Sequence, residues 1–240
     1  MENQEKKITN YLIEKRLPLD ILLEVKDHMT DQIAALETDQ NLDFDEAFEQ
    51  TKISWEKDLK MRISLFSCKF RKITRLQNSI MMRNQLRIQK KVMIIMSAIF
   101  FTTVFSAFYL PTISKYIFLI IYSTVALLGI VPSVLDRKLL KTTKANYDKN
   151  ISVFQRSTSN YMLMGAFFII LSNIIDIDAC MEKVRNSIIE LFNHKNFAVQ
   201  NILHLMAAYL YIYSVVYGYF CYINYKRAII KIKERMKLEF

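Results

Sequence analysis

Residues 69–102 read KFRKITRLQNSIMMRNQLRIQKKVMIIMSAIFFT. The stretch is cationic as far as Lys91, and after Val92 no charge appears until Lys115. From Met61 to Lys91 there are nine basic residues and no acidic one. Such a segment suits either a nucleic-acid surface or the inner edge of a membrane. The neighbours of the basic clusters decide between the two. A nucleic-acid domain carries its cations on a folded polar surface. Here each cluster abuts a long uncharged run, so a lipid membrane is the expected partner and no direct binding of nucleic acid is expected.

There are four such runs: Val92 to Ser114 (23 residues), Tyr116 to Leu135 (20), Ser157 to Ile175 (19) and Asn196 to Tyr225 (30, with a neutral His204). A helix rises about 1.5 Å per residue, so about 20 residues cross a hydrocarbon core of about 30 Å. A Lys, Arg or Asp at the centre of a span would cost roughly 2.5–3.5 kcal/mol. The expected spans are about 92–111, 116–135, 158–176 and 205–225. The third is the least apolar at its start and is expected to need a partner helix, with Asn173 facing protein. Seven tyrosines lie between Tyr209 and Tyr225. Those near the end fit an interfacial aromatic belt, and Tyr211 and Tyr213 are expected to pack between helices.

The flanking charges set an orientation. With the N-terminus inside, the inner segments 61–91, 136–156 and 226–240 carry 21 Lys and Arg, against 4 in the outer segments 111–115 and 176–195. The positive-inside rule then places both termini in the cytoplasm. The first 60 residues are polar and acidic, with no apolar signal segment. The high Ile, Lys, Asn and Tyr content suggests a bacterial source, hence a bacterial cytoplasmic (inner) membrane. Lys69, Arg71, Lys72, Arg75, Arg87, Lys90 and Lys91 are the candidate lipid anchors. Ile63, Phe66, Phe70, Ile73 and Ile80 recur at spacings near three and four, which predicts a basic amphipathic helix over 61–91. It would lie on the inner leaflet or act as a dimerising stalk, making a homo-oligomer. A smaller amphipathic helix is expected at about 180–193 on the outer side, with Met181, Val184, Ile188, Leu191 and Phe192 on one face.

The chain has 240 residues with only three Gly and three Pro, too few for the turns of a sheet-rich fold. The expected fold is all-α: a small cytoplasmic helical domain followed by a four-helix transmembrane bundle and a basic tail over 226–240. Residues 1–60 carry 15 acidic and 8 basic residues, net −7. They read as three helices, at about 3–16, 18–38 and from 43 onward. The core stripes are Ile8, Tyr11 and Leu12, then Leu19, Leu22, Leu23, Met29, Ile33 and Leu36, then Ala47, Phe48, Thr51, Trp55 and Leu59. Pro18 marks the first break, and Asp43 with Glu46 reads as a capping box.

Two stretches, LPLDILLEVKDHMTDQI (17–33) and LDFDEAFEQTKISWEKDL (42–59), resemble the HAAS-type, permease-prefix-like cytoplasmic domain. The matching residues are Leu17, Pro18, Glu24, Asp27, His28, Glu46, Ala47 and Phe48. Where many members have a Leu-Gly-x-Pro-like turn, this chain has SWEKDLK. The resemblance implies a regulatory membrane protein of the kind found beside PadR-like regulators or fused to transporter permeases. It implies no catalytic residue.

Glu24, Asp27, His28 and Asp31 share one helical face. They are candidates for docking a basic cytoplasmic regulator protein. As metal ligands they would need a second helix that the sequence does not identify, so no metal and no cofactor is expected. The chain has no phosphate loop, HExxH or GxSxG motif, and no enzymatic reaction is expected. The leading expectation is a signalling or regulatory multi-pass protein. The alternative is an accessory or membrane subunit of a transporter. Apart from Asp176 at the outer edge of the third, the spans hold no Asp, Glu, Lys or Arg, which weighs against autonomous transport.

Overall fold

The computed structural model describes residues 2–63, 72–143, 150–159, 177–193 and 199–236. Among the described residues the chain is all-α apart from one short hairpin. It divides into two compact units. The first takes in Met1–Gln85, Asp148–Val153 and Arg227–Phe240, and the second Leu86–Tyr147 and Phe154–Lys226.

In the first unit, α1 (Glu2–Glu14), α2 (Leu19–Gln40) and α3 (Phe44–Leu59) enclose one apolar core. Ile8, Leu12, Met29, Ile33, Ala47, Phe48 and Leu59 are buried in it, as their periodicity predicts. On α2 the buried stripe is Ile21, Leu22, Val25, Met29 and Ile33, whereas Leu19 and Leu23 are only half-buried. The core therefore sits under the face centred on Val25, which shifts the expected stripe by part of a turn. The helix ends follow local chemistry. Asn41 ends α2 with φ 54°, in the left-handed region that Asn tolerates. Asp43 caps α3, its Oδ1 accepting from the Glu46 N–H at 2.7 Å. Lys7 reaches Asp45 at 2.6 Å and Lys26 reaches Glu5 at 2.8 Å, tying α1 to each of its neighbours.

The helix expected over 61–91 begins only at Arg75. Before it, β1 (Met61–Ile63) and β2 (Lys72–Thr74) pair antiparallel, with Arg62 opposite Ile73. Thr74 supplies the physical reason: its fully buried hydroxyl accepts from the Gln77 N–H, a helix cap three residues ahead of its partner. The Arg75 N–H meanwhile donates to the Lys60 carbonyl and closes the ladder. The helical spacing of Ile63 and Ile73 is thus coincidental, and both β-branched residues sit in strands. Lys69 and Arg71, with Phe66 and Phe70, lie outside the described residues.

The second unit is built on α4 (Arg75–Tyr109) from Leu86 onward, α5 (Pro111–Leu135), α6 (Arg137–Lys141), α7 (Ile177–Asn193) and α8 (Val199–Met236) as far as Lys226; the remaining turns of α4 and α8 belong to the first unit. Among the described residues three helices are long and apolar enough to cross a membrane: α4, α5 and the Leu205–Met236 part of α8. Only 22–33% of the most apolar stretch of each is buried within the chain. Ile94, Phe101, Ile120, Val134 and Leu210 are among the large apolar side chains left exposed. Water would not tolerate so continuous a surface, but hydrocarbon does. Pro111 stands at the first turn of α5, where its missing N–H costs nothing. The expected third span, 158–176, lies outside the described residues except for Thr158 and Ser159. Val184 and Ile188 of α7 are buried against the core of this unit, and Phe192 meets Phe108 edge-on at 5.7 Å.

Replacing Asp43 with Ala is expected to cost the first unit about 1 kcal/mol, most of it regained by Asp43→Ser. Trp55 is the chain's single tryptophan and its indole N–H donates to Gln32 Oε1 at 3.0 Å. Its fluorescence, followed through thermal unfolding of the full chain in detergent, measures the loss.

Candidate functional site

The four residues expected to form a docking face all lie on α2, and all are exposed. Two of them already hold a basic partner supplied by the chain itself. Lys231 Nζ lies 2.7 Å from Glu24 Oε1, and Arg235 Nη1 lies 3.2 Å from Asp27 Oδ2. Glu24 and Asp27 are one turn apart on α2, as are Lys231 and Arg235 on α8, so two helical rows of opposite charge meet in register. The same turn of α8 buries Ile232. His28 and Asp31 continue the face. Among the described residues no group of three or more His, Cys, Asp or Glu side chains is placed to hold a metal ion. Exposed ion pairs of this type contribute about 0–1 kcal/mol each, so the contact is readily exchanged for another of the same chemistry.

The start of α2 holds a feature that sequence reading missed. Pro18 provides no side-chain cap. Instead the Leu19 N–H donates to the Asn150 carbonyl at 2.9 Å, and the Asp20 N–H to the Ile151 carbonyl at 3.1 Å. A distant segment therefore satisfies the helix's first donors. Asp20 lies at this junction, its carboxylate accepting from the Ile21 N–H at 2.9 Å. Burial pushes the Asp20 carboxyl up to about 6, with hydrogen bonds from Ser152 and the Ile21 N–H opposing the shift and the Glu24 carboxylate adding to it. The only advance signal is an acidic residue two positions after a proline, which is too common to be read this way.

The second unit has a polar cluster of its own, also missed. Asp136 follows α5 directly, and its Oδ2 accepts from Lys226 Nζ at 2.6 Å and from the Tyr222 hydroxyl. Lys226 beside Asp136 holds the carboxyl below its ordinary range, and the Tyr222 hydroxyl acts in the same direction. Next to it the Thr142 and Tyr225 hydroxyls are 2.7 Å apart, and Gln155 Nε2 donates to the Thr142 carbonyl at 2.8 Å. Tyr222 and Tyr225 are buried, at 6% and 0% exposure, so they pack inside the unit rather than forming an interfacial belt. Tyr211 of α8 stacks on Tyr122 of α5, as expected of a tyrosine between helices, whereas Tyr213 stacks on Tyr217 one turn further along α8 itself. The signal that was available is positional: Asp136 and Lys226 are the first charges after two uncharged runs.

Of the candidate lipid anchors, Lys72 is exposed on β2 and Arg75 is half-buried at the start of α4. Arg87, Lys90 and Lys91 are exposed on α4 at spacings of three and four, and so share one face. Lys91 Nζ stands 5.8 Å from the centre of the Phe220 ring.

No family model matches the chain, and neither a curated protein nor a solved structure matches it. The fold therefore defines the class alone: an all-α chain with, among the described residues, three helices long and apolar enough to cross a membrane.

Because the folded pKa of Asp20 is raised, its contribution to stability is full below about pH 4 and is lost as the pH rises through about 6. Asp20→Asn should flatten that slope and leave the protein more stable than the parent at pH 7, by at most about 3 kcal/mol. Urea unfolding followed through Trp55, at intervals between pH 4 and pH 7.5, checks both.

Proposed function

We propose that the chain is a multi-pass protein of a bacterial cytoplasmic membrane, with four spans and both termini in the cytoplasm. Its N-terminal helices form an interaction domain that serves signalling or regulation. The observation that carries this reading is the seating of Lys231 and Arg235 on Glu24 and Asp27. The α2 face accepts a basic helix, and a basic cytoplasmic regulator presents the same chemistry. The chain's own tail then holds the place until a partner displaces it. The resemblance of residues 15–60 to the HAAS-type domain supports the same reading, as does the 21-to-4 distribution of basic residues between inner and outer segments. Exposed apolar side chains on α4, α5 and α8 support the membrane assignment.

Two experiments test it. A reporter fused after Phe240 should register the cytoplasm and one inserted at Asn186 the outside; the reverse pattern would overturn the orientation. Crosslinked membranes should then yield a cytoplasmic regulator with the intact protein, and much less with Asp27→Ala/His28→Ala or with residues 1–60 removed. Recovery of permease or ATPase subunits with every form would instead make the chain a transporter subunit.

A further inference from the structure

An apolar groove of about 330 Å³ lies among α4, α5 and α8 in the second unit. Ile95 and Ile99 line it from α4, Ile120 and Leu128 from α5, and Val216 and Phe220 from α8. From Ile120 to Leu128 the α5 wall rises about 12 Å along the helix. The lining is almost entirely hydrocarbon. Ile120 is 65% exposed, so the groove opens outward on the apolar surface of this unit.

One end of the groove carries a charge. Phe220 belongs to the lining, and Lys91 Nζ stands over its ring at 5.8 Å. Lys91 is exposed and lies one turn before Ile95 on α4, and Ile99 follows one turn further on. Arg87 and Lys90 are exposed on the same side. Along α4 the surface thus passes, within three turns, from a cationic rim to an apolar trough. A wholly neutral ligand would not use the rim, and a soluble anion without a tail would not use the trough. A molecule with an anionic head and a long hydrocarbon tail uses both.

We propose that this groove is a binding site for an anionic phospholipid, with the phosphate on Lys91 and one acyl chain lying between α4, α5 and α8. The site rests on the reading that this unit spans a bilayer, with Lys91 at the level where long basic side chains reach the headgroups. It differs from general lipid contact because it is selective: headgroup charge determines which lipid occupies the trough.

The test uses the full chain in vesicles, with Trp55→Phe to remove the native tryptophan. Phe220→Trp places a reporter in the groove, and Phe101→Trp places one on the open apolar surface, where Phe101 is 70% exposed. Vesicles contain either phosphatidylglycerol brominated on its acyl chains within unlabelled phosphatidylcholine, or the reverse. At Phe220→Trp, brominated phosphatidylglycerol should quench beyond its mole fraction by about fivefold, the ratio expected for one basic residue facing an anionic group. At Phe101→Trp the two lipids should quench in proportion to their abundance. Lys91→Gln should abolish the excess and Lys91→Arg should retain it. Equal quenching at Phe220→Trp, or no quenching there while Phe101→Trp is quenched, would overturn the site without touching the membrane reading. An excess that survives Lys91→Gln would overturn the role of Lys91 as the anchor. If neither reporter is quenched, the chain is not in the bilayer and both readings fall. The comparison between the two lipids decides the matter even if Lys91→Gln is not recovered folded.

Discussion

The second unit depends on the exclusion of charge from three stretches of helix. No Asp, Glu, Lys or Arg lies between Val92 and Tyr109, between Tyr116 and Leu135, or between Leu205 and Tyr225. In hydrocarbon a helix satisfies its own backbone, so what remains to be arranged is the side chains and the ends. The exposed faces are apolar, while hydroxyls such as those of Thr103 and Tyr209 turn inward and meet each other. The charges collect where the runs stop. Asp136 and Lys226 compensate each other there, with Tyr222 as a third member, and so neither ion needs to be fully hydrated.

The first unit follows a different logic. The core enclosed by α1, α2 and α3 is small, since these helices span only about sixty residues and supply little apolar area. Rings and ion pairs add to it: Phe48 packs against both Tyr11 and Phe44, and Lys7 lies over the Phe44 and Phe48 rings while reaching Asp45. The acidic surface that results is balanced by basic residues from the far end of the sequence. Charge is thus used twice in this chain, once by its absence and once by the pairing of remote segments with opposite sign.

What could be read from the sequence was local or periodic. The Asp43 cap, the Pro18 break and the uncharged runs behind α4, α5 and α8 depend on neighbours in the chain, and all are present in the structure. The hairpin at 61–63 and 72–74 was misread because a stripe at helical spacing can arise by chance over so few residues, and because the Thr74 hydroxyl resets the helix start. The phase of α2 was off by part of a turn, since Ile21 and Val25 compete with Leu19 and Leu23 and only packing chooses between them. The contacts of Glu24 and Asp27 join residues some two hundred positions apart. Their sole trace in the sequence is the opposite charge of 1–60 and 226–240, which names a sign and not a partner.

The carbonyls of Asn150 and Ile151 that complete the first turn of α2 have a consequence for biosynthesis. Both residues emerge from the ribosome only after α4 and α5 have been made. The N-terminal helices therefore wait, with two donors of α2 still open to water, until the first pair of apolar helices has been delivered. The order of translation makes the finished first unit a record that those helices have already been synthesised.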